Sequence, residues 1–183
     1  LKYSKSMGDL FMKKVVTIGS ATMDVFVECD EANIVSVCSK NKCADFMSYP
    51  YGSKIDISTF SSNVGGGGIN TACNFDNLGF KTSAIFKIGK DFYSEGILDF
   101  FKTKTVGLDY IIKNKHTSTG FSIILVSFQG DRTVLAHRGA NAEIKKEEID
   151  FDAIKEADFL YIAPLNGDSN KVLEPIIEFA HEH

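Results

Sequence analysis

The sequence predicts an α/β protein: a Rossmann-like three-layer αβα unit that carries a small β-sheet lid. Three observations support this fold class. Strand patterns alternate with helical patterns, a glycine-rich loop leads directly into a helix, and two extended runs interrupt the alternation. Because the chain has 183 residues, is 44% hydrophobic and contains no internal repeat, one domain with its own core is expected.

The amino-terminal part is predicted to form two strands and then a protruding flap. Residues 15–19 are apolar, rich in β-branched side chains and end in glycine, as is typical of a parallel strand buried on both faces. A second short strand is predicted over residues 25–27. Residues 34–62 are polar and rich in turn residues, so they are expected to form a flap rather than core.

The most informative segment is the glycine-rich run at residues 63–72, Asn-Val-Gly-Gly-Gly-Gly-Ile-Asn-Thr-Ala. Its four consecutive glycines remove every Cβ atom, so backbone N–H groups can approach hydroxyls or anions, and the following helix points its positive end at the same place. The segment does not match two nucleotide-binding motifs. The dinucleotide-binding fingerprint requires a third glycine where this chain has Thr71, and the Walker motif requires a Gly-Lys-Ser/Thr sequence that is absent here. A merely flexible turn is the alternative interpretation.

The remaining segments continue the alternation of strands and helices. A helix over residues 69–78 is expected to end at Gly79, and a strand follows at residues 82–88. Asp91 is expected to cap a helix through residue 101, whose sheet-facing side chains are Phe92, Ile97, Phe100 and Phe101. Residues 121–128 and 133–137 are predicted to form a hairpin, which suggests a lid. Residues 159–162 are predicted to form a buried strand, and residues 169–179 a helix kinked at Pro175.

The composition argues against several functional classes. With a formal net charge of -4 and no clustered Lys or Arg, the chain is not expected to bind nucleic acid. No apolar run is long enough to span a membrane, and the first residues lack the apolar centre of a signal peptide, so a cytoplasmic location is expected. The four cysteines are irregularly spaced, which favours reduced thiols, and Cys38 and Cys43 lack the neighbouring ligands of a zinc site.

Asp24 is a candidate binding residue because of its place after the first strand. It follows that strand by five residues, so it is expected at the carboxyl edge of the sheet, where α/β proteins bind ligands. Its carboxylate can accept hydrogen bonds from the hydroxyls of a sugar. The alternative interpretation is a solvated turn residue.

Five short motifs follow one another in order between residues 15 and 165. They are Gly19-Ser20-Ala21-Thr22-Met23-Asp24, Gly65-Gly66-Gly67-Gly68-Ile69-Asn70, Ile88-Gly89-Lys90-Asp91, Ser118-Thr119-Gly120 and Arg138-Gly139-Ala140-Asn141. This series resembles the ribokinase-like (PfkB) carbohydrate kinase family. The resemblance implies ATP-dependent phosphorylation of a sugar hydroxyl, with ATP and Mg²⁺ as cofactors. It also implies that residues 1–183 are the N-terminal part of one kinase domain, with lid segments at about 24–62 and 120–138.

The resemblance further implies a set of substrate-binding residues, which comprises Asp24, Gly65, Gly66, Asn70, Phe121, Ile123 and Asn166. The first four match positions that bind sugar hydroxyls in the family, and Phe121 and Ile123 are candidates for apolar contact with the substrate. Asn166 stands where a Glu can contact the sugar, and Gly67 where members often carry Lys, so the identity of the sugar stays open. Arg138 is either a contact for a phosphate or carboxylate of the substrate or a surface residue of the lid.

The family's catalytic Gly-Ala-Gly-Asp element does not occur in these residues. The catalytic base is therefore expected C-terminal of this chain, and the chain alone is expected to be inactive. Three interpretations stay open: a sugar kinase, a nucleoside kinase of the same family, and a catalytically inactive sugar-binding sensor. A homodimer through the lid is a further expectation, since the flap aromatics Phe46, Tyr49 and Tyr51 suit either a second copy or the substrate.

Overall fold

Residues 13–183 are described by the computed structural model, and they fall into two units. The first unit contains the described residues up to Met23, together with Val64–Phe121 and His137–His183. The second unit contains Asp24–Asn63 and Ser122–Ala136. The chain therefore passes from one unit to the other at four places.

The described residues form the following strands and helices. The strands are β1 (Lys14–Ile18), β2 (Thr22–Glu28), β3 (Asn33–Ser39), β4 (Lys42–Ser48), β5 (Thr59–Gly65), β6 (Lys81–Ile85), β7 (Lys87–Ile88), β8 (Ile112–Lys113), β9 (Gly120–Val126), β10 (Arg132–His137) and β11 (Phe159–Ile162). The α-helices are α1 (Gly67–Asn77), α2 (Phe92–Phe101), α3 (Phe151–Lys155) and α4 (Leu173–Glu182), and 3-10 helices cover Gly139–Ala142, Lys146–Glu148 and Gly167–Val172.

A parallel sheet in the order β11-β1-β6 forms the centre of the first unit. Successive side chains of a strand point to opposite faces, and both faces of this sheet are covered. Ala84 joins an apolar cluster with Ile97 of α2, whereas the neighbouring Ile85 joins a second cluster with Ile176 of α4. The predicted three-layer αβα arrangement is therefore confirmed.

Several details of this unit differ from the sequence prediction. The run at residues 82–88 is divided, because β6 ends at Ile85 and β7 pairs with β8. Among residues 13–183, β11 lies at the edge of its sheet and is not the buried strand that was predicted, since Phe159 and Tyr161 are 51% and 42% exposed there. Phe92 is 81% exposed, because it precedes the buried Ile97 by five residues and so points about 140° away from it around the helix axis.

The C-terminal helix also differs from its prediction. A 3-10 helix covers Gly167–Val172, and α4 begins only at Leu173. Pro175 therefore lies in the first turn of α4, where the missing N–H costs no helical hydrogen bond, and no kink is required. Within residues 13–183, no helix combines the length and apolar character needed to cross a membrane.

The second unit is built from strands. β3 and β4 form an antiparallel hairpin, and β2, β5, β9 and β10 form a four-stranded sheet in the order β10-β9-β2-β5. The segment predicted as a turn-rich flap thus contains β3, β4 and part of β5. Cys38 lies directly opposite Cys43 in the hairpin, and the two form a disulfide. The prediction of reduced thiols was wrong for this pair, because sequence spacing does not reveal strand register.

Candidate functional site

The glycine-rich loop packs closely against the loop that follows β1. Gly66 has a φ of 98°, and a Cβ atom there would lie 2.5 Å from the carbonyl oxygen of Ser20. A Cβ atom at Gly68 would lie 2.9 Å from the backbone of Gly19, and one at Gly67 would lie 2.8 Å from the Cβ atom of Ala163. These positions therefore require glycine for packing and conformation, whether or not a ligand binds.

Two backbone N–H groups of the glycine-rich loop form hydrogen bonds within the protein. Gly67 donates its N–H to the Oγ atom of Ser20 at 3.0 Å, and Gly68 donates its N–H to the carbonyl oxygen of Ser20 at 2.9 Å. Sequence reasoning assigned the N–H groups of this loop to a ligand. For Gly67 and Gly68 the structure gives a different role, since both fix Ser20 at the carboxyl end of β1.

The loop after β1 is also held by a buried asparagine from a distant motif. The side chain of Asn141 donates to the carbonyl oxygen of Ala21 and accepts from the N–H of Ala21, both at 2.8 Å. Gly120 packs against the same pair, because a Cβ atom there would overlap the side-chain amide of Asn141. Ala140 donates its N–H to the carbonyl oxygen of Ser118 at 2.8 Å. The motifs at residues 19–24, 118–120 and 138–141 are therefore in direct contact.

The motif at residues 88–91 contacts the motif at residues 118–120. The carboxylate of Asp91 accepts from Ser94 N–H at 2.9 Å, which confirms the predicted cap of α2, and from Thr119 N–H at 2.7 Å. In return, Gly89 donates its N–H to the Oγ1 atom of Thr119 at 2.9 Å. Burial acts to raise the pKa of Asp91, but the hydrogen bonds from Thr119 and Ser94 outweigh it, so this pKa lies below the ordinary aspartate value.

An aromatic row lies where β9 begins and β10 ends. The ring of Phe121 stacks on Tyr93, with centroids 5.3 Å apart, and its centroid lies 5.2 Å from that of the His137 ring. The Nε2 atom of His137 is 2.8 Å from the Oγ atom of Ser118. Sequence reasoning found Phe121 but missed Tyr93 and His137, since these rings come from α2 and from the end of β10, 28 and 16 positions away along the chain.

The predicted substrate-binding residues are divided between the two units. Gly65, Gly66, Asn70, Phe121 and Asn166 belong to the first unit, and Asp24 and Ile123 belong to the second. Gly66 and Phe121 lie next to the contacts made by Asn141, because Gly66 packs on Ala21 and Phe121 follows Gly120.

The other predicted residues are placed as follows. Asn166 directly precedes Gly167, which packs on Ala142, so it too lies close to the segment of Asn141. Asn70 is exposed in the first turn of α1, and Asp24 is half-buried on β2. Phe121 and Ile123 alternate with buried residues and share one face of β9.

The part of the chain that the structure describes contains no cluster of three or more His, Cys, Asp or Glu side chains that could hold a metal ion.

A family model described as "pfkB family carbohydrate kinase" matches residues 12–183. The chain belongs to this family. Among curated relatives, the ribokinase of Staphylococcus aureus (strain COL) is 30% identical over 150 residues, which are 80% of this chain and 44% of that protein. The ribokinase of Bacillus subtilis (strain 168) is 29% identical over 133 residues, which are 73% of this chain and 40% of that protein. The chain thus spans less than half the length of these two relatives.

Solved structures show the same fold. The structure of Arabidopsis thaliana ribokinase complexed with ribose and ATP matches with a TM-score of 0.70 at 19% identity, covering 93% of this chain and 51% of that chain. The expected resemblance to ribokinase-like kinases is therefore confirmed. The family model shows the family, and this solved structure shows the fold over about half of its own chain.

Proposed function

We propose that the full-length protein is an ATP-dependent kinase that phosphorylates a hydroxyl group of a sugar, acting in the cytoplasm. The observation that carries this proposal is the contact of three motifs, at residues 65–70, 118–120 and 138–141, with the loop at residues 19–21, beside the predicted sugar-binding residues Gly66 and Phe121. Membership of the pfkB family and the similarity to ribokinases support it. The described residues would supply the acceptor-binding part, and the second unit would act as a lid.

Three of the predicted substrate-binding residues would have roles that suit their chemistry. Asp24 accepts hydrogen bonds from sugar hydroxyls, and its half-burial strengthens them by reducing competition from water. Asn70 is exposed at the start of α1 and can both donate and accept. The ring of Phe121 packs beside Tyr93 and His137 and is half-buried, and its exposed part would contact the apolar carbon atoms of the sugar.

The transfer step needs groups beyond these residues. ATP supplies the phosphoryl group, and Mg²⁺ neutralises charge on the phosphates when it is bound. The proposed base, an aspartate that deprotonates the acceptor hydroxyl, is expected outside residues 1–183. The residues present here would bind and orient the acceptor and exclude water from it.

A nucleoside is the second candidate acceptor. The row of Tyr93, Phe121 and His137 presents flat rings, which suit contact with a nucleobase as well as with a sugar. The same sugar-binding residues would then hold the ribose part. A panel of substrates separates the two candidates, because only a nucleoside kinase would lose turnover when the base is removed.

The decisive experiment is ADP release by the full-length protein with ATP and Mg²⁺, tested against pentoses, hexoses, their phosphates and nucleosides. We expect turnover with one substrate class and a loss of at least about a hundredfold in D24N, because an acceptor-orienting contact is removed. The matched control is D30N, since Asp30 is an exposed aspartate just after β2. No turnover with any substrate would contradict the kinase proposal and favour a sugar-binding sensor.

We also propose that the intact protein forms a homodimer through the β3–β4 hairpin. Val35, Val37 and Phe46 lie on one face of this hairpin and are 46%, 57% and 54% exposed. A second copy of the same apolar face is the simplest cover for it. V37K should shift the sedimentation of the full-length protein from dimer to monomer, and V134K, a substitution at a similarly exposed valine on β10, should not. A monomeric unmodified protein would refute this proposal.

A further inference from the structure

The chain passes between the two units at four places, and all four are anchored close together within the first unit. Three residues after Ala21 the chain enters the second unit along β2, and it returns along β5 just before Gly66. It leaves again directly after Phe121 on β9 and returns at His137 on β10. Gly66, Gly120 and Asn141 all contact Ala21 or its immediate neighbours. One small group of residues in the first unit thus lies within four positions of each crossing.

Asn141 is at the centre of this group. Its side chain forms a closed pair of hydrogen bonds with the N–H and the carbonyl of Ala21, and it is only 4% exposed. The backbone of Asn141 is fixed in turn, because the fully buried Ser169 donates its hydroxyl to the Asn141 carbonyl at 2.8 Å. The same hydroxyl accepts from Ile144 N–H at 2.8 Å. The side chain of Asn141 therefore has a rigid support and two satisfied partners.

We propose that Asn141 is a positioning residue for the acceptor site. It fixes Ala21, which directly precedes β2 and packs on Gly66. It also packs against Gly120, the residue before Phe121. Asparagine suits this place because a backbone N–H and C=O need one acceptor and one donor, side by side on a short side chain. The effect on catalysis rests on the proposed kinase function, whereas the anchoring of Ala21 does not.

The anchoring can be measured without any activity. Amide hydrogen exchange of the full-length N141D variant should be about tenfold to a hundredfold faster than wild type at the N–H groups of Ala21, Gly67 and Gly68, because a buried donor is lost. The N–H of Ala163, which bonds to Ile18 within the sheet, should keep its protection. The matched control is T82V, which removes a different hydrogen-bond donor, the hydroxyl of the buried Thr82, from the same unit at the opposite end of the sheet.

A pH series tests whether Ala21 is protected by the hydrogen bond that the side chain at position 141 donates, or only by the packing of that side chain. The carboxyl group introduced by N141D can donate to the Ala21 carbonyl only when it is protonated, so the variant should regain wild-type protection of Ala21 as the pH falls from about 8 to about 5. Wild type and T82V, compared at each pH, should show no such recovery. Equal protection of Ala21 in wild type and N141D at neutral pH would overturn the anchoring.

The catalytic part is tested by steady-state kinetics on the same proteins. N141D should raise the KM for the acceptor by about tenfold or more at neutral pH and leave the KM for ATP unchanged, with recovery at lower pH. T82V should change neither. An unchanged acceptor KM, together with the predicted loss of Ala21 protection, would overturn the positioning role. A wild-type protein without turnover would refute the kinase function, and hydrogen exchange would still decide the anchoring.

Discussion

Replacing Asp91 by asparagine tests whether its carboxylate joins two of the motifs. One of its oxygens accepts from Ser94 at 2.9 Å and the other from Thr119 at 2.7 Å. D91N can keep the first hydrogen bond, because asparagine caps helices as well as aspartate does, but its NH₂ group must face the N–H of Thr119. One hydrogen bond to a charged acceptor is lost. We therefore expect the free energy of unfolding to fall by about 2 kcal/mol.

Urea unfolding of the full-length protein at neutral pH measures this loss. D99N is the matched control, since Asp99 lies on the same helix with an exposed side chain and forms only a surface ion pair with Lys102. Such pairs contribute about 0.5 kcal/mol or less, so D99N should unfold close to wild type. If D91N and D99N unfold at the same urea concentration with equal slopes, the reasoning about Asp91 is refuted.

The same variant gives a pH dependence with a defined sign. Because the pKa of Asp91 is lowered in the folded state, its contribution to stability is present above the unfolded pKa of about 3.9. That contribution is lost as the pH falls through the folded pKa. The stability difference between wild type and D91N should therefore stay constant from neutral pH to about pH 4 and shrink below it. A difference that grows on acidification would contradict the assignment.

Two further predictions concern the glycine-rich loop and the hairpin. G68A places a Cβ atom 2.9 Å from the backbone of Gly19, which cannot move aside as a side chain can, so we expect a loss of about 3 kcal/mol in thermal unfolding. G52A, where a Cβ atom would meet nothing within 4 Å, should cost only about 1 kcal/mol for its positive φ. C38S opens a disulfide that spans five positions to Cys43, so it should cost about 2 kcal/mol, and a reductant should lower the stability of wild type equally. Insensitivity of wild type to the reductant would refute the last prediction.

Local sequence signals predicted the elements that depend on neighbouring residues. β1 was predicted from its β-branched run, and α2 from the capping aspartate at residue 91. The β9–β10 hairpin was predicted from its turn. In each case the decisive residues lie within about ten positions, where backbone preferences and side-chain caps act directly. The elements predicted incorrectly depend on distant partners. Whether β11 is buried is decided by its neighbours in the sheet, and whether Cys38 meets Cys43 is decided by strand register.

In the candidate site, too, the features set by neighbouring residues were predicted and those set by distant contacts were not. The sequence located the motifs, but it could not show that Asn141 bonds to Ala21 across 120 positions or that Asp91 bonds to Thr119 across 28. These contacts give a physical reason for the five motifs to occur together. Each motif makes a hydrogen bond with at least one of the others, so the motifs support one another's positions. Asp24 and Asn70 differ from these groups, because sequence reasoning assigns their side chains to the substrate. Substitution of Asp24 should therefore reduce catalysis while the protein stays folded, whereas substitution of Asp91 should first reduce stability.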